Sequence, residues 1–327
     1  MFDGFEALSV DVGETVIFVR RKGNGLPLLL LHGFPETHLM WHSVAPVLAD
    51  AFTVVCADLR GYGASGKPAS TPDHMPYAKS TMARDMVRLM AHIGFSRFNV
   101  AGHDRGGRVA YRMALNHPDK IERLAVLDII PTGDAFARAD MRLALGYWPW
   151  SLLAQPEPLP ERLVTTNPEA IIDDAFTRWG SDRNSFSPDV RACYVDALRD
   201  VETVHSICEE YRAAATIDFA EDMEDRKSNR RIACPMLVLW GKDGPLDQWY
   251  TEAGGAGHLA RLDERTSRSC YRGWALLPRT QSGRDHLRTR QILQLGSHAG
   301  PSPRHRPARN IARNGATRFT VAPASVF

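Results

Sequence analysis

The stretch that most constrains the fold is residues 98–118, "FNVAGHDRGGRVAYRMALNHP". Its apolar beginning predicts a buried strand, and the glycines that follow allow a sharp turn with a helix starting close to the strand end. The apolar residues after the glycines recur at helical spacing, and the Asn-His-Pro sequence predicts a helix stop. The pattern is typical of a strand, a tight turn and a helix, with Asp104 at the apex of the turn.

The rest of the first 130 residues alternates short apolar runs with amphipathic segments. This alternation is typical of a mostly parallel sheet covered by helices, an α/β fold. The predicted strands lie at residues 15–21, 27–33, 52–58, 98–103 and 123–129, and the predicted helices at residues 81–94 and 106–118.

The remaining chain divides into three parts. Residues 133–228 show helical patterns broken by prolines, which predicts a helical cap inserted into an α/β core that begins as residues 1–132. The core continues at residues 229–255 with one buried strand near residues 234–244. Beyond residue 255 no strand or helix is predicted, so residues 256–327 are expected to form an irregular, poorly ordered tail.

Charge is distributed unevenly along the chain. Residues 256–327 contain 13 Arg, no Lys and three acidic residues, a net charge of +10, although the whole chain carries only +2. Such a tail could bind nucleic acid, because arginines attract phosphate. Its charges form no helix face and are not interleaved with aromatic residues, so no nucleic-acid partner is predicted.

The longest apolar runs, residues 26–34 and 234–241, are too short to span a bilayer, and no basic start precedes an apolar N-terminal segment. We therefore predict a cytoplasmic protein without a membrane partner. The five cysteines show no paired spacing, which favours reduced thiols over disulfides or a zinc site.

Asp104 is a candidate nucleophile. The positive end of the following helix stabilises an ionised carboxylate, and a carboxylate that attacks carbon forms a covalent ester. The backbone N–H groups of Phe34, in "HGFP", and of Arg105 could form an oxyanion hole, and Asp128, at the end of the next strand, could orient a histidine. The alternatives are that Asp104 only caps a helix and that Asp128 only caps a strand end.

The segments "HGFPETHLMWHSVAPVLA", "DLRGYGASGKP", "GHDRGGRVAYRMALNHP", "VLDIIPT" and "EYRAAATID" resemble the haloacetate dehalogenases, including fluoroacetate dehalogenases, of the α/β-hydrolase superfamily. The resemblance covers residues 5–255. It implies a mainly parallel eight-stranded sheet with a helical cap, hydrolysis of carbon–halogen bonds without cofactor or metal, and a homodimer.

The same resemblance implies a role for each motif residue. Asp104 would displace halide from the α-carbon, Arg105 and Arg108 would bind the substrate carboxylate, and Trp150 and Tyr211 would face the leaving halide. Two guanidinium groups beside one nucleophile are suited to a carboxylate-bearing substrate. The alternatives are a solvated helix face for the arginines and packing within the cap for the aromatic residues.

The sequence departs from the family pattern at two places. Defluorinating relatives have Tyr-Trp-His-Trp in the cap, but this chain has "YWPW" with Pro149, which lacks a side-chain donor. This favours chloro- or bromoacetate over fluoroacetate as substrate. The family's general base, a histidine in Gly-Gly-His-Phe after the last strand, is also missing, because residues 270–279 are "CYRGWALLPR".

A one-nucleotide shift in the gene would explain the missing histidine. The codons for residues 271–278, shifted by one base, permit Ile-Glu-Gly-Gly-His-Phe-Phe-Pro, with the histidine spanning Ala275 and Leu276. We therefore interpret residues after about 255 as read out of frame, and a gene sequence with no one-base correction near that codon would contradict this interpretation. His258 is an alternative base, but it lies only 15 residues past Asp243, too few for a helix and a last strand.

Two other functions stay open. An epoxide hydrolase uses the same aspartate, with cap tyrosines activating the epoxide oxygen, but does not need two arginines beside it. A protein without its base and last sheet elements could also be a non-catalytic binding protein.

Overall fold

The structure is a computed structural model that describes residues 1–179, 186–242, 246 and 267–272. Within these residues eight strands form one sheet in the order β1-β2-β4-β3-β5-β6-β7-β8. The strands are β1 (Glu6–Asp11), β2 (Val16–Lys22), β3 (Leu26–Leu31), β4 (Phe52–Ala57), β5 (Phe98–His103), β6 (Ile121–Leu127), β7 (Met236–Lys242) and β8 (Ser267–Arg272).

The sheet is parallel except at its first edge, where β1 pairs with β2 and β2 with β4 in antiparallel register. Strands β3 to β6 are apolar and almost fully buried because helices cover both faces of the sheet. The carboxyl ends of the parallel strands therefore meet at one edge, where the turns after β3, β5 and β6 lie next to one another.

Helices of the core flank the sheet. They are α1 (Ala45–Leu48), α2 (Lys79–His92) and α3 (Asp104–Asn116), with 3₁₀ turns at His38–Trp41 and Met75–Tyr77. The predicted helices at residues 81–94 and 106–118 correspond to α2 and α3. Helix α3 begins two residues before the predicted start, because Asp104 itself is its first residue.

Helices also form the segment between β6 and β7. They are α4 (Thr132–Ala137), α5 (Met141–Gly146), α6 (Trp148–Leu152), α7 (Leu159–Thr166), α8 (Pro168–Arg178), α9 (Pro188–Arg199), α10 (Val201–Ala213) and α11 (Phe219–Lys227), with a π-helical turn at Ala214–Asp218 joining the last two. The predicted class, a mostly parallel sheet with a helical cap, is confirmed.

The prediction of no strand beyond residue 255 is wrong, because β8 pairs in parallel with β7 from Leu237 and Ser267 to Lys242 and Arg272. Its sequence, "SRSCYR", lacks the apolar run on which strand prediction depends, and backbone hydrogen bonding to β7 defines it instead. Strand β1 was not predicted either, since its residues are mostly exposed at the sheet edge. The rest of the predicted tail, including His258, lies outside the described residues.

None of the helices in the described ranges is long and apolar enough to cross a membrane. Cys56, Cys193, Cys208 and Cys234 are free thiols, as predicted. The cytoplasmic location stays a prediction.

Candidate active site

The turn between β5 and α3 holds Asp104 in a strained backbone conformation. Its φ is +42°, in the left-handed region that non-glycine residues seldom adopt and that is common at functional sites. The turn is tight enough that a Cβ on Gly102 would lie 2.3 Å from the Gly106 carbonyl oxygen, and one on Gly106 would lie 2.4 Å from the His32 carbonyl oxygen. The glycines of "GHDRGG" are therefore required by backbone contact, and Asp104 stands at the apex as predicted from the sequence pattern.

Both carboxylate oxygens of Asp104 accept a hydrogen bond. The backbone N–H of Phe34 donates to Oδ2 at 3.2 Å, and Nη1 of Arg108, one helical turn along α3, donates to Oδ1 at 2.9 Å. The Phe34 N–H is thus directed at Asp104, as expected for one donor of an oxyanion hole.

A cavity of about 40 Å³ lies over Asp104. One water molecule needs roughly 10–15 Å³ of accessible space, so this cavity can hold a molecule of only a few non-hydrogen atoms. Core and cap contribute its walls, which consist of Phe34, His103, Asp104, Asp128, Tyr147, Pro149, Trp150, Trp179 and Tyr211.

The two predicted carboxylate-binding arginines lie behind the aromatic wall. The Cζ atom of Arg105 is 4.0 Å from the ring centroid of Tyr211, and that of Arg108 is 4.6 Å from the ring centroid of Trp150. Both guanidinium groups are buried. The arginines therefore place positive charge against the aromatic rings that enclose the cavity, at cation–π distance.

Glu210, from the cap helix α10, holds Arg105. Its Oε1 accepts hydrogen bonds from Nε of Arg105 at 2.7 Å and from Nζ of Lys79 at 2.5 Å, and its backbone carbonyl accepts from Nη2 of Arg105 at 3.3 Å. Tyr62 donates to Oε2. Nη1 of Arg105 is buried without a hydrogen-bond partner among the described residues. Glu210 therefore fixes the Nε and Nη2 atoms of Arg105, whereas Nη1 makes no hydrogen bond to the described residues.

The charge balance around Glu210 is reflected in its pKa. Burial alone would raise the pKa, but the charges of Arg105 and Lys79 and the hydrogen bonds from Lys79 and Tyr62 outweigh burial and lower the pKa to about 2. Glu210 is therefore ionised over the whole physiological range. The sequence pattern predicted no role for Glu210, although Glu210 is the first residue of the segment "EYRAAATID".

Asp128 follows β6 with a positive φ of +49° and lines the cavity. Its Oδ1 accepts a hydrogen bond from the backbone N–H of Gly241 at 2.8 Å, which ties it to the end of β7. The structure thus brings Asp128 to the same cavity as Asp104. The residues expected to contain the general base lie outside the described ranges.

His103, the residue before Asp104, was not among the predicted site residues, yet it lines the cavity. Its Nδ1 lies 3.2 Å from Oε2 of Glu36, whereas Nε2 is buried with no hydrogen-bond partner in the described part of the chain. Burial lowers the pKa of His103, but Glu36, Asp104 and Asp128 outweigh it and keep the pKa above its usual value. The sequence contains a signal for this contact, because Glu36 directly follows the "HGFP" turn and His103 directly precedes Asp104.

A mostly parallel sheet with a tight strand-to-helix turn after a central strand, and a carboxylate at the apex of that turn, is typical of an α/β hydrolase. The chain belongs to the α/β-hydrolase family, whose model, described as the alpha/beta hydrolase fold, matches residues 27–265. It is 47% identical over 251 residues to a fluoroacetate dehalogenase from Burkholderia sp, covering 76% of this chain and 82% of that protein. The predicted resemblance to this group of enzymes is confirmed.

Two other comparisons are informative. A solved alpha/beta-hydrolase structure from Nostoc sp PCC 7120 superposes with a TM-score of 0.86 at 41% identity, covering 91% of this chain and 100% of that one. A soluble epoxide hydrolase from Corynebacterium sp. (strain C12) is 46% identical, but only over 118 residues, 35% of this chain and 40% of that protein. The sequence similarity to this fluoroacetate dehalogenase therefore extends over more of the chain than the sequence similarity to this epoxide hydrolase.

Proposed function

We propose that the protein cleaves the carbon–halogen bond of short 2-haloacids through an ester on Asp104, a reaction that converts a haloacetate to glycolate and halide where a general base hydrolyses the ester and that stops at the ester in the chain as written. The observation that carries the proposal is the geometry of Asp104. A strained apical carboxylate, with the Phe34 N–H on one oxygen, faces a small cavity enclosed by aromatic rings and backed by two buried guanidinium groups.

The first step needs no proton transfer. An oxygen of Asp104 forms a bond to the α-carbon, the carbon–halogen bond breaks, and the halide leaves with the bonding electron pair toward Trp150 and Tyr211. Arg105 and Arg108 offset the negative charge of the substrate as it approaches an anionic nucleophile.

The second step is hydrolysis of the ester. Water attacks the ester carbonyl and its proton passes to a general base. The carbon–oxygen bond on the acyl side then breaks, the leaving alkoxide takes the proton from the base to give glycolate, and the Asp104 carboxylate is regenerated. The Phe34 N–H, which donates to Oδ2 of Asp104, would stabilise the oxyanion of this step. The family resemblance assigns the base to a histidine oriented by Asp128, which the sequence as written lacks.

Chloroacetate is expected to carboxymethylate Asp104. Incubation of the protein with chloroacetate should increase the intact mass by one carboxymethyl group and release chloride, and peptide mapping should place the group on Asp104. The Asp104→Asn variant is the control, because its amide is a far weaker nucleophile than a carboxylate. Chloride release by Asp104→Asn at the wild-type rate would contradict the proposal.

Chloroacetate is expected to react faster than fluoroacetate because Pro149 occupies the cavity wall without a donor for the leaving halide. Pro149 lies in the first turn of α6, where other residues can replace proline without loss of a backbone hydrogen bond. Restoring one hydrogen bond to the developing anion with Pro149→His should accelerate fluoride release roughly 10- to 100-fold.

Pro149→Ala is the matched control for that experiment, since it removes the ring without adding a donor. Fluoride electrode measurements on the three proteins decide the question. Equal fluoride release by the histidine and alanine variants would show that the missing donor does not limit the reaction.

A second candidate function is epoxide hydrolysis, which the two cap tyrosines in the cavity, Tyr147 and Tyr211, favour. The buried arginine pair argues against it, because an epoxide has no charge for the arginines to neutralise. Alkylation of Asp104 by propylene oxide but not by chloroacetate would support this alternative.

A further inference from the structure

The two hydrogen bonds to Asp104 distinguish its two oxygens. The oxygen that remains on the acyl carbonyl after ester formation must lie in the oxyanion hole when water attacks. The Phe34 N–H, bonded to Oδ2, therefore identifies Oδ2 as the carbonyl oxygen and leaves Oδ1 as the attacking oxygen. Oδ1 is the oxygen that Arg108 holds at 2.9 Å.

The hydrogen bond from Arg108 hinders attack by Oδ1. A lone pair engaged by a buried guanidinium is less nucleophilic, and the charged donor stabilises the ionised reactant more than the ester that replaces it. Arg108 is 4% exposed, so water competes little for this contact. The contact with Arg108 thus restrains Oδ1 of Asp104.

The surroundings of Arg108 allow the guanidinium to change partner. Only Nη1 contacts Asp104, Nε is buried without a hydrogen-bond partner in the described residues, and the group lies against Trp150 at the cavity wall. Arg105 differs, because Glu210 holds it through Nε and Nη2 and the structure gives it no hydrogen bond to the Asp104 carboxylate.

We propose that Arg108 is a specificity-determining switch: the substrate carboxylate takes the guanidinium from Asp104 Oδ1 and so frees that oxygen to attack. The inference rests on the proposed function and deepens it. A haloacid supplies the carboxylate that displaces Asp104 from Arg108. An uncharged organic halide of the same size has no carboxylate to bind Arg108. It therefore meets an Asp104 whose Oδ1 is still held by the guanidinium.

The test compares chloroacetate with chloroacetamide, its uncharged analogue of similar shape. Arg108→Met keeps much of the side-chain volume against Trp150 but removes the charge. It should slow Asp104 alkylation by chloroacetate roughly 100-fold and accelerate alkylation by chloroacetamide roughly 10-fold, the factors expected for one or two charged hydrogen bonds. Arg105→Lys is the matched control, and it should slow chloroacetate without accelerating chloroacetamide.

Peptide-mapped ester on Asp104 is the readout, because chloroacetamide also alkylates exposed thiols such as Cys193. Arg108→Gln provides a second variant, and circular dichroism establishes that each protein is folded. An unchanged or slower chloroacetamide reaction in folded Arg108→Met and Arg108→Gln overturns the switch. Failure of chloroacetate to alkylate the wild-type protein would instead contradict the proposed function itself.

Discussion

Chloroacetate is expected to release one equivalent of chloride per protein and then no more, with the ester retained on Asp104. Displacement of halide requires only a carboxylate and an accessible α-carbon, and Asp104 supplies the carboxylate from a strained turn that lines the cavity. Hydrolysis of the ester requires a general base. The only histidine among the described cavity residues is His103, and Glu36 helps to keep its pKa above the usual value, which favours the charged form that cannot accept a proton.

The measurement is a chloride burst followed by intact mass over many hours. The matched protein is the frame-corrected chain, encoded by a gene with a one-nucleotide correction near codon 255, which on the frameshift hypothesis would contain Gly-Gly-His-Phe after residue 271 and should turn over continuously. General base catalysis contributes about 10²- to 10⁴-fold, so without its base the chain as written should still hold the ester at times when the frame-corrected chain has turned over repeatedly.

Sustained turnover of the chain as written would contradict this expectation and show that another group supplies the base. In that case His103→Gln tests the nearest candidate, because Nε2 of His103 is buried in the cavity wall without a hydrogen-bond partner among the described residues. Loss of turnover with retention of the first chloride equivalent would assign the base to His103.

Strand β8 is relevant to the missing histidine. It lies beside β7 in parallel, the place of the last strand, and ends at Arg272. The shifted codons that permit Gly-Gly-His-Phe fall just after this residue in the sequence. The frame-corrected histidine would therefore follow the sheet edge at which Asp104 and Asp128 lie, since the carboxyl ends of parallel strands meet there.

The sequence predicted the local features of the site but not its long-range contacts. The position of Asp104 at a tight turn follows from the adjacent residues, because Gly102 and Gly106 are required by backbone contacts within the same motif and the neighbouring strand. The Phe34 N–H could be anticipated from the "HGFP" turn. By contrast, the contact between Arg105 and Glu210 joins residues 105 positions apart and depends on how the cap packs on the core.

The failure at β8 has a different physical cause. Strand prediction uses apolar periodicity, which reports burial, whereas "SRSCYR" is paired through its backbone. The cap residues were recognised as helical, but periodicity contains no information on which cap side chain reaches the nucleophile. Tyr147 and Trp179 are cavity residues that only the three-dimensional packing reveals.

Glu210→Leu is expected to lower the free energy of unfolding by about 3–5 kcal/mol, the usual cost of removing one partner of a buried ion pair. The reason is that Arg105 and Lys79 are both almost fully buried and would keep their positive charges without the carboxylate that binds them. Glu202, an exposed residue on the same helix, provides the control Glu202→Leu, which should change stability little. Urea unfolding followed by circular dichroism measures both.

A double variant separates the charge effect from packing. Lys79→Met removes one of the two cations, so Lys79→Met with Glu210→Leu should be less destabilised than the sum of the single variants. Strict additivity would show that the two charges do not interact, contrary to the 2.5 Å contact between them.

The same carboxylate should make wild-type stability depend on pH in acid. Glu210 has a pKa of about 2 in the folded protein against an ordinary value of 4.5, so its contribution is fully present above about pH 4.5 and is lost as pH falls toward 2. That shift corresponds to about 3 kcal/mol, consistent with the expected cost of Glu210→Leu. Glu210→Gln cannot titrate, so its free energy of unfolding should fall less steeply than that of the wild type between pH 4.5 and pH 2. Parallel pH profiles for the two proteins would mean that Glu210 is not the ionised anchor of Arg105, and the cap would then need another group to fix that guanidinium behind the cavity.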